Sequence, residues 1–160
     1  MPTRTRSRAA IAVMLVPLAG TAAGADAPET LSDRALRARE MQSLQLVCGK
    51  CHNLQLVTST PRSLDAWRDT MQKMVDHGAR GTDDQFDDIL DFLNRTVTTI
   101  DVNSADADEL AAVLDVSEAT AQRIIDRRRT RKLTDVSDLK RIPGVDAAAV
   151  DSKSKLLYFQ

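Results

Sequence analysis

The sequence predicts an all-α chain organised as two small helical units. Three observations carry this reading. Apolar residues recur at helical spacing along most of the chain, and capping residues stand in front of those runs. The pattern breaks once, at Thr96 to Asp101, into β-branched residues with no helical stripe. That break reads as the junction between a unit at 30–97 and a second at 101–160. No alternation that would pair strands is evident.

The first 25 residues belong to neither unit. Arg4, Arg6 and Arg8 make a basic start, Ala9 to Gly20 an apolar centre, and Thr21 to Ala25 a small-residue end. These are the three parts of a secretory signal peptide, and the apolar stretch is too short to span a bilayer as a helix. The arginines are never adjacent, so general secretion is the simpler route. An uncleaved anchor is the alternative, and Pro17 and the length argue against it. Cleavage is expected after Ala25, with Ala27 as the alternative, giving a periplasmic protein with no transmembrane segment after signal removal. The leader holds three of the 22 basic residues and none of the 23 acidic ones, so the mature chain carries 19 against 23, a net charge of −4. That balance lacks the positive excess of a nucleic-acid binder. Aromatic residues make up only 3% of the chain, so its cores must come mainly from Leu, Val, Ile and Ala.

The elements follow in order. Asp26 to Thr30 reads as a short flexible start. Leu31 to Val47 contains neither Pro nor Gly and predicts a helix, with Leu36, Leu44 and Val47 on one face, running directly into a cysteine pair. Asn53 to Pro61 reads as an extended loop. Ser63 caps the next helix, with Asp65 in its first turn, and Leu64, Trp67, Met71, Met74 and Val75 form its apolar stripe. Gly78 and Gly81 bracket its end. Thr82-Asp83-Asp84-Gln85 is a capping box for a helix whose inward face is Phe86, Ile89, Leu90 and Leu93. Past the junction, Ala105 to Leu114, Glu118 to Arg129, Val136 to Lys140 and Asp146 to Ser152 read as short helices. The apolar end Leu156 to Phe159 is expected to pack back on them.

The chemistry sits in Cys48-Gly49-Lys50-Cys51-His52, which holds the only two cysteines. Two thiols at this spacing can add to the two vinyl groups of one haem, and the adjacent His52 then supplies the proximal iron ligand. Covalent attachment lets a small domain keep a cofactor that burial alone would hold poorly. The rivals are weaker. A structural disulfide rarely meets its geometry across two intervening residues, a thioredoxin-like dithiol expects a βαβ setting, and zinc needs a second Cys/His cluster.

With these residues in place, 30–97 resembles a small cytochrome c-like haem domain. The run Trp67-Arg68-Asp69-Thr70-Met71-Gln72-Lys73-Met74, followed by Gly78, is similar to a segment of the haem domains associated with quinoprotein dehydrogenases. The resemblance implies one covalently attached haem c, bound through Cys48 and Cys51 and ligated by His52. Met74 would be the distal iron ligand, with Met71 and His77 as alternatives. It also implies an electron carrier rather than an enzyme, with a periplasmic redox protein, such as a quinoprotein dehydrogenase, as partner; a haem enzyme or ligand sensor, which requires an open sixth iron position, is the alternative.

The second unit shows another likeness. Val102-Asn103-Ser104-Ala105 through Glu109-Leu110, then Ala121 to Ile125, Arg127-Arg128, Val136 to Leu139 and Ile142-Pro143-Gly144-Val145 resemble helix-hairpin-helix domains like the competence DNA receptor, ComEA. In DNA-binding members, glycine-rich hairpins bring backbone N–H groups to a phosphate. Here Asp115 stands at the first glycine position of one hairpin and Asp146 at the second glycine position of the other. A docking role is therefore the first expectation for this unit. An envelope DNA-binding protein with a structural or redox-sensing haem is the alternative, its basic cluster being Arg123, Arg127, Arg128, Arg129, Arg131 and Lys132.

Overall fold

The computed structural model describes residues 30–160, and the signal segment with both cleavage positions lies outside them. The described residues are mostly helical, as expected for an all-α chain. They pack around two apolar cores, one containing Leu44, Val47, Trp67, Ile89 and Leu93, the other Val102, Leu110, Ile124, Leu133 and Leu139.

Helix α1 (Leu31–Val47) starts at a capping box in which Thr30 and Asp33 exchange side-chain and backbone bonds. Its buried face differs from the expected one: Leu44 and Val47 are buried, but Glu40 and Ser43 join them, and Leu36 is 39% exposed. Polar residues can occupy that face because α4 (Asp83–Thr96) answers them. Arg95 pairs with Glu40, Ser43 Oγ donates to Asp88 Oδ2 at 2.9 Å, and Arg39 Nε donates to Asp88 Oδ1 at 2.9 Å.

Asn53 to Pro61 is not the extended loop expected. Asn53 Oδ1 accepts from Gln55 N–H at 2.9 Å and starts one helical turn and a half, α2 (Leu54–Thr58), which turns Val57 toward the core. Helix α3 (Leu64–Asp76) begins at Ser63 as expected, with Leu64 and Trp67 buried and Met71, Met74 and Val75 half-buried. It ends in a Schellman turn: Gly78 takes φ +102°, Gly78 N–H donates to the Val75 carbonyl at 2.9 Å, and Ala79 N–H to that of Met74 at 2.8 Å. The Thr82/Gln85 capping box then opens α4.

The junction is a hydrogen-bonded strap. Thr98 is fully buried and forms a parallel bridge with Arg62, whose N–H donates to the Val97 carbonyl at 3.4 Å and whose carbonyl accepts from Thr99 N–H at 2.8 Å. Beyond it β1 (Ile100–Asp101) pairs in parallel with β2 (Leu157–Tyr158), a two-residue ladder that the sequence pattern did not reveal. The apolar C-terminal end does fold back: Leu157 is buried in the second core and Phe159 packs against it.

That core is enclosed by α5 (Ala107–Leu114), α6 (Glu118–Thr130), α7 (Val136–Lys140) and α8 (Ala147–Ser152). Asn103 acts as a surrogate strand residue, its amide donating to the Leu133 carbonyl at 2.8 Å and accepting from Leu133 N–H at 3.1 Å. Lys153, buried, donates to the Val113 carbonyl in the last turn of α5, where a cation complements the helix dipole.

Asp138 pins the approach to α7. Its carboxylate accepts from Thr134 N–H at 2.9 Å and Thr134 Oγ1 at 2.8 Å and pairs with Arg141. These bonds, the backbone one foremost, lower its pKa to about 2. Because the folded value lies below the unfolded one of about 3.9, the group stabilises the fold above roughly pH 4 and loses that contribution as pH falls toward 2. Asp138→Asn is therefore expected to melt below wild type at neutral pH. The gap should close in thermal melts recorded between pH 4 and pH 2, and a constant gap would contradict this assignment.

Candidate functional site

The cysteine motif leaves the end of α1 as a tight turn. Cys48 N–H and Gly49 N–H both donate to the Leu44 carbonyl, at 2.9 and 3.2 Å. A Cβ on Gly49 would lie 2.7 Å from the Gln45 carbonyl oxygen, so only glycine fits without moving the helix end. The glycine between the cysteines thus has a structural reason that the motif alone does not supply.

The turn opens onto a cavity of about 410 Å³, within the range of cofactor sites. Cys48, Cys51 and His52 line it from the turn, Val57 from α2, and Phe86, Ile89 and Leu93 from α4. Helix α3 contributes Trp67, Met71 and Met74, and His77 reaches it from the helix C-cap. All the sequence-predicted site residues therefore meet at one cavity. Met71 and Met74 are half-buried and His77 is exposed, so the three candidates for a distal ligand are brought to the same space.

Two buried polar atoms in this wall lack protein partners: His52 Nδ1 and the Trp67 indole Nε1. A buried polar atom left unpaired costs about 1–3 kcal/mol. The Arg62 guanidinium carbon lies 5.5 Å from the Trp67 ring centroid and lines the same cavity, bringing a cation to its rim. Two thiols, an imidazole, a choice of thioether or second imidazole, and apolar walls form a donor set that fits an iron porphyrin. Among the described residues no group of three or more His, Cys, Asp or Glu side chains could hold a bare metal ion. Arg62, Val57 and Phe86 were not among the sequence-predicted site residues. The Asn53 cap before Leu54 and Val57 was the available signal for α2, and Arg62 had none.

In the second unit, Asp115 takes φ 55° at the C-cap of α5, the left-handed conformation a glycine would adopt without strain. Ser117 caps α6 by accepting from Thr120 N–H. The Asp146 carboxylate accepts from the amides of Ala148 and Ala149 at 2.8 and 3.4 Å, so the chain's own anion lies where a phosphate would approach. Gly144 takes φ +93°, and a Cβ there would meet Thr120 Oγ1 at 2.4 Å; the glycine lets the second hairpin close on α6. Not all of the basic cluster faces outward. Arg128 is half-buried and donates to the Val102 carbonyl at 2.7 Å, and burial lowers its pKa.

A family model described as a helix-hairpin-helix motif matches residues 96–157. These residues form a helix-hairpin-helix motif. No curated protein and no solved structure matches the chain. Among the described residues no helix is long and apolar enough to cross a membrane.

The two thiols differ in setting: Cys51 is exposed, whereas Cys48 is half-buried and burial pushes its thiol pKa up. In haem-free protein at pH 8, iodoacetamide is expected to label Cys51 severalfold faster than Cys48, because the thiolate is the reacting form. Peptide mass spectrometry of timed samples reads this directly, and equal rates would contradict it.

Proposed function

We propose that this chain is an exported c-type cytochrome that carries single electrons in the periplasm. The observation that supports it most is the meeting of both thiols, His52 and the α3 methionines at one apolar cavity with two unpartnered buried nitrogens. Cys48 and Cys51 would hold haem c as thioethers, His52 would ligate the iron, and Met74 would be the distal ligand, with Met71 and His77 as alternatives. Bound haem supplies a one-electron ferrous/ferric couple. The protein's own part is to tether, ligate and exclude water. The apolar wall from Val57, Phe86 and Ile89 would give the bound group a low-dielectric setting, which tunes reduction potential. The Arg62 cation over the Trp67 ring would offer a positive charge to the anionic substituents of the haem ring. Acid–base catalysis is not part of this role. The helix-hairpin-helix unit would serve as a docking module for a periplasmic redox protein, possible dehydrogenase partners including a quinoprotein.

The reading is tested on mature protein made with a c-type haem maturation system. A c-type pyridine haemochrome spectrum and haem that survives denaturing electrophoresis are expected. Cys48→Ala and Cys51→Ala should each weaken covalent retention, and Gly49→Ala should lower haem content because its methyl strikes the Gln45 carbonyl. Met74→Ala should remove the sulfur-to-iron band and Met71→Ala should leave it. A wild-type chain that takes up no covalent haem under these conditions would end the proposal.

The matched motif favours a second reading, an envelope DNA-binding protein whose haem is structural or redox-sensing. Gel shifts of the mature protein with duplex DNA that weaken with rising salt are its expected signature. The absence of a shift at low salt would remove it. The carboxylate of Asp146 on the α8 amides argues for the docking role instead.

A further inference from the structure

Helix α6 and the second hairpin enclose a second, smaller pocket of about 240 Å³. Arg123 and Arg127 enter it one turn apart from α6, Arg141 enters from the end of α7, and Ile142 and Pro143 form its apolar side. Three arginines line this space beside one acid, Asp126, and that balance of charge favours an anion at its mouth.

The surrounding bonds hold this arrangement. Arg123 Nη1 donates to Thr120 Oγ1 at 3.3 Å and lies 3.4 Å from where a Cβ on Gly144 would stand. Arg141 is braced by Asp138, which is tied in turn to Thr134. Asp126, the acid in the lining, accepts from Gln122 Nε2 at 2.9 Å and pairs with Arg129 at 3.5 Å. The Arg127 guanidinium is left without a hydrogen-bond or ion-pair partner among the described residues.

We propose that this pocket binds a carboxylate side chain of an acidic segment on a partner protein, gripped by Arg123, Arg127 and Arg141 with Ile142 and Pro143 against its apolar neighbour. The proposal rests on the docking role given to this unit and is independent of the haem. A carboxylate fits the fork geometry of guanidinium groups. A nucleic acid fits the unit less well, because a duplex needs several phosphates neutralised in a row. Residues 98–160 carry 10 Lys and Arg against 11 Asp and Glu, and Asp115, Glu118 and Asp146 lie along the two hairpins. Arg128, which could have extended a basic track, is turned inward to the Val102 carbonyl.

The test measures fluorescence anisotropy of a labelled peptide of alternating Glu and Leu with the full mature chain, beside a labelled duplex DNA of unrelated sequence. Arg127→Glu removes the unpaired cation, and Lys155→Glu makes the same charge change outside the pocket. The wild-type chain is expected to bind the peptide saturably. Arg127→Glu should weaken it at least about tenfold, and Lys155→Glu by less than about twofold. Duplex DNA bound as tightly as the peptide, and lost in Arg127→Glu, would make the pocket a phosphate site and overturn the proposal. Equal weakening by both charge reversals would also overturn it, leaving a docking unit without this pocket. No peptide binding by any chain, in samples whose circular dichroism is intact, would remove the docking role and the pocket together.

Discussion

The pairing of α1 with α4 is the constraint on which the rest depends. Its apolar part, Leu44 and Val47 against Ile89 and Leu93, supplies burial without fixing a register. The polar part fixes it, because Glu40 must meet Arg95 while Asp88 meets Ser43 and Arg39. Sliding α1 by one turn would separate the buried Glu40 and Asp88 carboxylates from their cations, a cost that falls mainly on the Glu40–Arg95 pair because Arg39 is largely exposed. Such pairs add little net stability compared with apolar residues; what they give is a single alignment. That alignment carries the end of α1, and with it Cys48, Cys51 and His52, to the cavity lined by Phe86 and Ile89.

The second constraint is the buried strap from Val97 to Asp101. Thr98 donates through its backbone N–H and its hydroxyl to the Leu93 carbonyl, both at 3.0 Å, closing the C-terminus of α4. Thr99 continues into the pairing with Arg62, and Ile100 and Asp101 into the pairing with Leu157 and Tyr158. The connection between the two cores therefore has backbone bonds on both sides along its length. Its β-branched residues suit an extended segment, which is the physical content of the break in helical pattern.

Much of this was legible in advance, and the reasons differ by element. The starts of α3 and α4 follow from apolar spacing and local chemistry at Ser63 and Thr82, and α1 from the run without Pro or Gly that begins at Leu31, whereas the Thr30 cap was not read. The cysteine turn and the methionines of α3 were readable because their residue types and spacing carry meaning without tertiary context. Helix α2 was missed because five residues are too few for a periodicity, and the paired strands because two are fewer still. Glu40 and Asp88 looked like ordinary solvated charges, since nothing local announces that each will face a cation from another helix. For the same reason Arg128 could not be separated from its outward-facing neighbours. At Asp115 the sequence showed an acid where glycine was expected, and the backbone nonetheless keeps the left-handed turn.

Arg62 occupies the strap with its backbone and the cavity rim with its side chain. Surface loops ordinarily absorb inserted or deleted residues, since their ends are tied down and their middles are not. The segment from His52 to Arg62 differs: one end is fixed by the cysteine turn, the other by the bridge to Thr98, and α2 packs Val57 between them. One residue more or fewer would shift either the imidazole or the guanidinium relative to the cavity, or break the strap. The length of this stretch is thus as tightly specified as the identity of any residue in it.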